Sequence, residues 1–460
     1  MVKWLSVRWE TLRTSLWPVP LGMIVLTMLL YHAAIWVDSV APTEWVQRTW
    51  WVHSGSGDDA RNLLTTLVSA IITMSSVVFS ITIVALSLAA NQFGSRLVRT
   101  YMADVRTKLA LGLFVMTVVY CLLALRTVEK DMPAAEIPHV TVTVGLALGL
   151  TCVFVLLFFL HRVARSIVAD EVIRRVAGEL ERSIAQLPRL PARHRPEPAE
   201  GGLPSDFDTR SAILTSRAEG YIQAVDYDRL ADVAARHGIV LRLDIRPGDF
   251  MCRDGWLGAA GPGDAITTEV ANALQDAILI GARRTPTQDL EFSVRHLVDI
   301  ALRALSPGIN DANTALVVVE HMRAALSHLM GKHIPGPVHR DDAGAVRVVG
   351  KANSYAGILD AALNQIRQAA AGQPAVVIHL LGAISWMAEH VRLPEQRAAL
   401  LHHARLIAAA GLRGLDEPSD RQDIEDALAA AERKLEQIMR KKLRVVGDAR
   451  PESPGATERR

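Results

Sequence analysis

The sequence has few of the residues from which disulfides and metal centres are built. Its 460 residues include three cysteines, Cys121, Cys152 and Cys252, and their spacing matches no metal-binding pattern. The first two lie inside apolar runs, so we interpret them as small buried residues and expect no disulfide framework. The histidines between 321 and 339 have no cysteine or carboxylate that completes a zinc pattern. We therefore expect no metal site.

Motifs of several enzyme classes are also missing. The chain contains no phosphate-binding loop, nucleophile elbow, kinase signature or zinc-protease helix, so we expect neither an enzyme nor a cofactor. It also lacks a charge imbalance, with 50 Lys and Arg against 48 Asp and Glu, which argues against nucleic acid as a partner. At 460 residues the chain exceeds the usual domain size of about 100–200 residues, so we expect at least two structural units.

Long apolar runs are what the sequence does contain. Hydropathy predicts four membrane spans, at about 19–37, 63–90, 109–125 and 140–160. Lys and Arg are concentrated before the first span, between the second and third, and after the fourth. Because positive charge favours the cytoplasmic side, both termini are predicted to be cytoplasmic and the chain to be a multi-pass membrane protein.

The second run, Leu63–Ala90, carries a row of hydroxyl groups. At ~1.5 Å per residue it extends roughly 40 Å, more than the ~30 Å hydrocarbon core needs. Its hydroxyls recur at steps of three, four and seven residues and so share one helix face. This hydroxyl stripe consists of Thr66, Ser69, Thr73, Ser76, Ser80 and Ser87.

The stripe has two interpretations. Ser and Thr let transmembrane helices pack closely, and they also line hydrated paths through the membrane. In the second case we expect Gln92 and Arg96 at the inner mouth, with several copies arranged around an axis.

Beyond the spans, the pattern predicts a succession of segments. A membrane-proximal helix at 166–187 is followed by a Pro-rich linker at 188–206 and a small α/β module at 207–262. The module is expected to contain a helix at 226–236, a strand at 239–245, a turn at 246–249 and a returning strand at 250–256. A helical domain fills 263–445, and the tail 446–460 is expected to be disordered. Its predicted helices are 264–283, 290–305, 311–330, 354–371, 375–391, 394–411 and 418–442, with a short strand at 346–349.

A charged helical hairpin is the most specific feature of this half. Side chains of alternating sign recur every four residues, a helix stop follows, and a capping residue starts the next helix. The hairpin residues are Glu291, Arg295, Asp299, Arg303, Ser306, Pro307, Gly308, Asn310 and Asp311. The alternating charges form either a solvated or inter-subunit salt-bridge face, or a ligand or gating site.

Three stretches resemble a known family. They are QDLEFSVRHLVDIALRALSPGINDANTA at the hairpin, FSITIVALSLAANQFGSRLVR in the second span and RPGDFMCRDG in the small module. Each is similar to bacterial membrane proteins classed as domain of unknown function 2254. The resemblance covers nearly the whole chain and implies a bacterial inner-membrane protein, but no catalytic residue. This chain has Ala312 and Asn313 where the family pattern usually has a proline and an aromatic residue.

Together these features predict a mainly α protein, with a four-helix transmembrane domain and a helical cytoplasmic domain that contains a small β element. The leading hypothesis is a homo-oligomeric ion channel or small-solute pore in the lipid bilayer, lined by the second span. The alternative is a membrane-anchored sensor or scaffold whose cytoplasmic domain binds a protein or a nucleotide.

Overall fold

The structure is a computed structural model, and it describes residues 17–40, 56–93, 104–129, 132–133, 136–166, 169–191 and 203–447. These form two compact units that divide between Val172 and Ile173. The first unit contains four helices long and apolar enough to cross a membrane. They are α1 (Pro18–Val40), α2 (Gly57–Phe93), α3 (Val105–Thr127) and α4 (His139–Ser166). The four predicted spans are therefore confirmed as helices, each extending beyond its predicted ends.

Helix α3 lies at the centre of the membrane unit. Its Phe114 and Tyr120 are almost fully buried, and α3 packs against α1, α2 and α4. Glycines on α4 permit close approach to α2. A Cβ at Gly149 would lie 2.8 Å from Leu67 Cδ2, so a larger residue there would require the Leu67 side chain to shift.

Polar side chains hold the ends of this bundle. Asp38 of α1 accepts hydrogen bonds from Val140 N at 2.8 Å and from Thr141 N at 2.9 Å, which caps the start of α4. At the opposite end, Asp104 precedes α3 and forms an ion pair with Arg162 of α4, 2.8 Å between Oδ2 and Nη2. These contacts tie three of the four helices together at their termini.

The second unit is mainly helical and contains one α/β part with two sheets. Its helices are α5 (Ala169–Ala185, which starts in the first unit), α6 (Phe207–Arg210), α7 (Tyr227–Arg236), α8 (Thr268–Gln275), α9 (Leu290–Ala304), α10 (Ala312–Leu329), α11 (Tyr355–Ala369), α12 (Pro374–Met387), α13 (Pro394–Arg413) and α14 (Pro418–Gly447). Its strands are β1 (Ala212–Thr215), β2 (Gly220–Val225), β3 (Val240–Leu243), β4 (Phe250–Met251), β5 (Trp256–Gly261), β6 (Ile278–Gly281), β7 (Val338–Arg340) and β8 (Val346–Val349).

The strands form two sheets around one apolar core. The first sheet has the order β1-β5-β3-β8-β7, and the second has the order β4-β2-β6. Strand β8 pairs parallel to β3, with Leu241 opposite Val348, whereas the other pairings are antiparallel. Residues 338–349 therefore belong to the α/β module although they lie far along the chain from its other strands.

Three sequence expectations for this unit are wrong. A single helix was expected at 264–283, but the structure has the short α8 followed by β6, because Ile278 and Ile280 pair with β2 and extend its sheet. The module was also expected to end at 262, whereas α8, β6, β7 and β8 complete its core and sheets. The strand expected at 250–256 is split between β4, which pairs with β2, and β5, which pairs with β3.

The other expected elements are present with small differences at their ends. These are the helix at 226–236, the strand at 346–349 and the later helices of the second unit. Most of the linker at 188–206 lies outside the described residues, as does the predicted tail 446–460, except for Val446 and Gly447, which end α14.

The C-terminal end of α5 is fastened to the end of α10. Lys332 Nζ donates to the carbonyl oxygens of Ala185 at 3.0 Å and Leu187 at 3.2 Å, which caps α5. One turn away, His328 Nδ1 lies 2.8 Å from Glu181 Oε2. The C-terminal half of α5 is therefore held by the helical hairpin of the second unit.

Candidate pore-lining face and charge network

One face of α2 packs into the membrane unit. Its buried residues follow steps of four and seven: Ala60, Leu64, Ile71, Val78 and Ala85 are each at most 2% exposed. They belong to two apolar clusters that also contain residues of α3 and α4. This regular spacing fixes the rotation of α2 about its own axis.

The hydroxyl stripe lies on the opposite face. Ser69, Ser76, Ser80 and Ser87 are each two residues from a member of the buried line, and two residues correspond to roughly 200° of rotation in an α-helix. All six stripe residues are exposed on the surface of the unit. The stripe therefore does not pack between the spans of one chain, so any helix packing at the stripe would have to involve a second molecule.

Most stripe hydroxyls bond within their own helix. The hydroxyls of Thr66, Ser69, Thr73 and Ser80 donate to the carbonyl oxygen four residues earlier, over distances of 2.8 to 3.0 Å. This pattern satisfies the hydroxyl hydrogen and leaves lone pairs on the oxygen. The outward polar surface of α2 thus presents mainly hydrogen-bond acceptors.

Large apolar side chains border the stripe on both sides. At 3.6 residues per turn, Ile72, Phe79 and Ile83 fall on one side, and Val77, Val84 and Leu88 on the other. All six are exposed, from 40% for Leu88 to 66% for Ile83. The outward face of α2 is therefore a polar line with an apolar margin on each side.

The predicted inner mouth, Gln92 and Arg96, lies largely outside the described residues. The backbone of Gln92 belongs to α2, but its side chain and all of Arg96 lie outside the described residues. Three further hydroxyls of α2, those of Thr65, Ser75 and Thr82, lie off the stripe, and each also donates to the carbonyl four residues earlier.

The predicted charged hairpin contributes to a buried charge network rather than to a purely solvated face. Glu291, at the start of α9, is 4% exposed. Its Oε1 lies 2.8 Å from Arg246 Nη2, and its Oε2 lies 3.0 Å from Arg295 Nη2. Arg246 Nη1 also donates to Asn353 Oδ1 at 2.8 Å. One carboxylate thus links the turn of the α/β module, α9 and the segment before α11.

The turn of the α/β module at 246–249 lies against a second ion pair, between Arg284 and Asp289. Gly248 has a positive φ of 98°, and a Cβ there would overlap the Asp289 carboxylate and lie 2.8 Å from Arg284 Nε. Asp289 pairs with Arg284 and accepts a hydrogen bond from Phe292 N at 3.1 Å, which caps α9. Gln288 pairs with both backbone groups of Val225 in β2. The stretch before α9 is thereby fixed to the sheet.

The hairpin turn is built from local caps. Ser306 Oγ donates to Arg303 O at 2.6 Å, and Asn310 occupies the left-handed region with φ of 50°. Asp311 Oδ1 accepts from Thr314 N at 3.0 Å and starts α10, and the two hydrogen bonds from Thr314 lower the pKa of the Asp311 carboxyl. Asp299 is half-buried, and Arg303, Pro307 and Gly308 are exposed.

No group of three or more His, Cys, Asp or Glu side chains suited to a metal ion occurs within the described part of the chain. Two of the histidines between 321 and 339 have different contacts. His328 lies against Glu181, and His339 stacks on Tyr227 with ring centroids 4.1 Å apart.

Comparison with known proteins points to one group. A family model described as "Predicted membrane protein (DUF2254)" matches residues 13–385. The chain is 33% identical over 387 residues to an uncharacterized protein of Mycobacterium bovis and to uncharacterized proteins of two Mycobacterium tuberculosis strains. Each match covers 83% of this chain and 73% of the relative. No solved structure matches.

Proposed function

Since this chain belongs to the DUF2254 family of predicted membrane proteins, we propose that it forms an oligomeric ion channel or small-solute pore lined by α2. The proposal includes a bacterial inner-membrane location with both termini in the cytoplasm, as the distribution of Lys and Arg favours. It assigns no catalytic activity and no cofactor to the chain. The cytoplasmic unit would assemble or gate the complex.

The observation that carries the proposal is the direction of the hydroxyl stripe. A stripe that served only to pack α2 against the other spans of its chain would lie on the buried face with Leu64, Ile71 and Val78. Instead, the six hydroxyls are exposed on the face opposite that line. Polar residues at membrane depth are accommodated best where they border water or another protein surface.

The same geometry requires several copies. Four spans in one chain do not enclose a sizeable path, and here the polar face points out of the bundle rather than into it. In a closed ring of copies, the stripes would face a common axis. The apolar margins, such as Phe79 and Ile83 on one side and Val84 on the other, would then pack between neighbouring α2 helices.

The alternative function is a membrane-anchored sensor or scaffold whose cytoplasmic unit binds a protein or nucleotide. The observation that favours it is the internal bonding of the stripe. Because Thr66, Thr73 and Ser80 already donate to their own helix, their hydroxyls are tolerated on a lipid-facing surface. In that case α2 needs no ring.

The oligomeric state is the first test of the pore. We expect the protein, extracted in a mild detergent or in native nanodiscs, to have a mass of at least three protomers, since two α2 helices cannot surround an axis. The measurement is light scattering with correction for bound detergent or lipid. A monodisperse monomer in both environments would contradict the pore, whereas a ring would be compatible with either function and lead to the flux experiments described below.

A further inference from the structure

The polar face of α2 ends in a carboxylate at its N-terminal end. Asn62 lies four residues before Thr66, and Asp58 lies four residues before Asn62, so both continue the line of the stripe. Both side chains are exposed, and Asn62 Nδ2 donates to Asp58 Oδ2 at 3.3 Å. The face therefore passes from a carboxylate through an amide to the hydroxyls.

The neighbouring charges are engaged elsewhere. Asp59 Oδ2 accepts from Ser56 N at 3.0 Å and from Ser56 Oγ at 2.7 Å, which caps the helix. Arg61 Nη1 donates to Val128 O at 3.2 Å, beyond the end of α3. Among the described residues of α2, Asp58 is thus the charged side chain on the line of the stripe, and no helix cap uses it.

The stripe hydroxyls, which follow Asp58 along α2, present the same negative polarity as its carboxylate. Four of the six donate their hydrogen to the backbone of α2, so their outward oxygens offer lone pairs. Oxygen lone pairs and rings of carboxylates favour cations over anions in ion channels. Two independent features of the same face, the charge at its end and the orientation of its hydroxyls, therefore favour one sign of solute.

We propose that Asp58 sets the charge selectivity of the pore, and that the solutes are small inorganic cations. The inference rests on the proposed function, because a ring of carboxylates at the outer mouth exists only if several copies place α2 around an axis. In that ring Asp58 raises the local concentration of cations, and the hydroxyl oxygens of the stripe replace part of their hydration.

The test is the reversal potential of current through the purified full-length protein in a planar bilayer of neutral lipid under a KCl gradient. We expect the current through the parent protein to reverse at a potential close to the equilibrium potential of potassium. Asp58→Asn, which keeps the size of the side chain, should lower the potassium-to-chloride permeability ratio several-fold. Asp58→Lys should move the reversal potential towards the equilibrium potential of chloride. Glu129→Gln, which changes an exposed carboxylate after α3, should leave the ratio unchanged.

The possible results distinguish failure of the pore from failure of the role of Asp58. A parent protein that carries no current contradicts the pore itself and, with it, this inference. A parent current without cation preference, or a preference that Asp58→Asn does not reduce, overturns the role of Asp58 and leaves the pore standing. Should Asp58→Lys fail to fold, the isosteric Asp58→Asn variant decides the question alone.

Discussion

Proteoliposomes that contain the Ser76→Leu/Ser80→Leu double variant are expected to lose their ion or solute flux, with flux reduced to that of protein-free liposomes. Both hydroxyls are exposed, and Val78 between them belongs to the buried line on the other side of α2. Each leucine adds bulk and removes a polar oxygen, so a ring of them forms an apolar constriction that excludes water. The measurement is flux under a voltage, osmotic or pH gradient.

The matched control is Thr151→Leu in α4. Thr151 is also an exposed span hydroxyl, and its Oγ1 donates to Ala147 O at 2.7 Å, so the chemical change is the same on another helix. We expect this variant to conduct like the parent, and the double variant to keep the parent's elution volume and helical content. Full flux in a well-folded double variant would contradict a path along the stripe.

Glu291→Ala should strongly destabilise the second unit. The change leaves the guanidinium groups of Arg246 and Arg295 without their shared carboxylate, and removing one partner of a buried ion pair costs about 3–5 kcal/mol. Because these arginine side chains are 31% and 40% exposed, water compensates part of the loss, and we expect about 2 kcal/mol. That corresponds to a fall in Tm of about 5 °C.

Thermal unfolding of the full chain in detergent, followed by circular dichroism, checks this value. Glu425→Ala is the control, because Glu425 is an exposed glutamate within α14, and it should change Tm little. Glu291→Gln, which keeps the shape and some hydrogen bonding, should fall between the two. Equal Tm values for Glu291→Ala and Glu425→Ala would show that the charge network does not hold the module to α9.

The membrane unit was largely predictable because long apolar runs have few alternative structures. The start of α2 is the main difference, since the helix begins at Gly57 rather than near Leu63. Its first turns are polar, and hydropathy does not recognise them as part of the span. The sequence nevertheless contains a local signal for that start, because Ser56 and Asp59 have the spacing of a capping box and make its contacts in the structure.

The direction of the stripe could not be derived from the pattern of hydroxyls alone. A polar face on a membrane helix is compatible with packing and with water, and the choice depends on what the rest of the helix contacts. The line Leu64, Ile71 and Val78 was also visible in the sequence at steps of seven. Many apolar residues on the same helix have equal hydropathy, so only the packing of α3 and α4 identifies this line as the buried one.

The charge network was missed for a different reason. The spacing from Glu291 to Arg295 indicated a helical ion pair, but the second partner, Arg246, belongs to a turn of the α/β module. Likewise, β8 joins β3 although helices α9 and α10 lie between them in sequence. Local periodicity carries no information about such distant pairings, whereas the cap of α10 depends only on neighbouring residues and was predicted.

The most direct test of a water-filled path along α2 is the accessibility, in the bilayer, of a cysteine introduced at position 76 as the one exposed cysteine among the described residues. Cys252 is exposed and would be replaced by serine, whereas the buried Cys121 and Cys152 can stay. A charged, membrane-impermeant thiol reagent is expected to modify Ser76→Cys in proteoliposomes. It should not modify Phe154→Cys, at a position of α4 that is 72% exposed and would face lipid. If position 76 proves as unreactive as position 154, the stripe faces lipid or a dry helix interface, and the pore is contradicted.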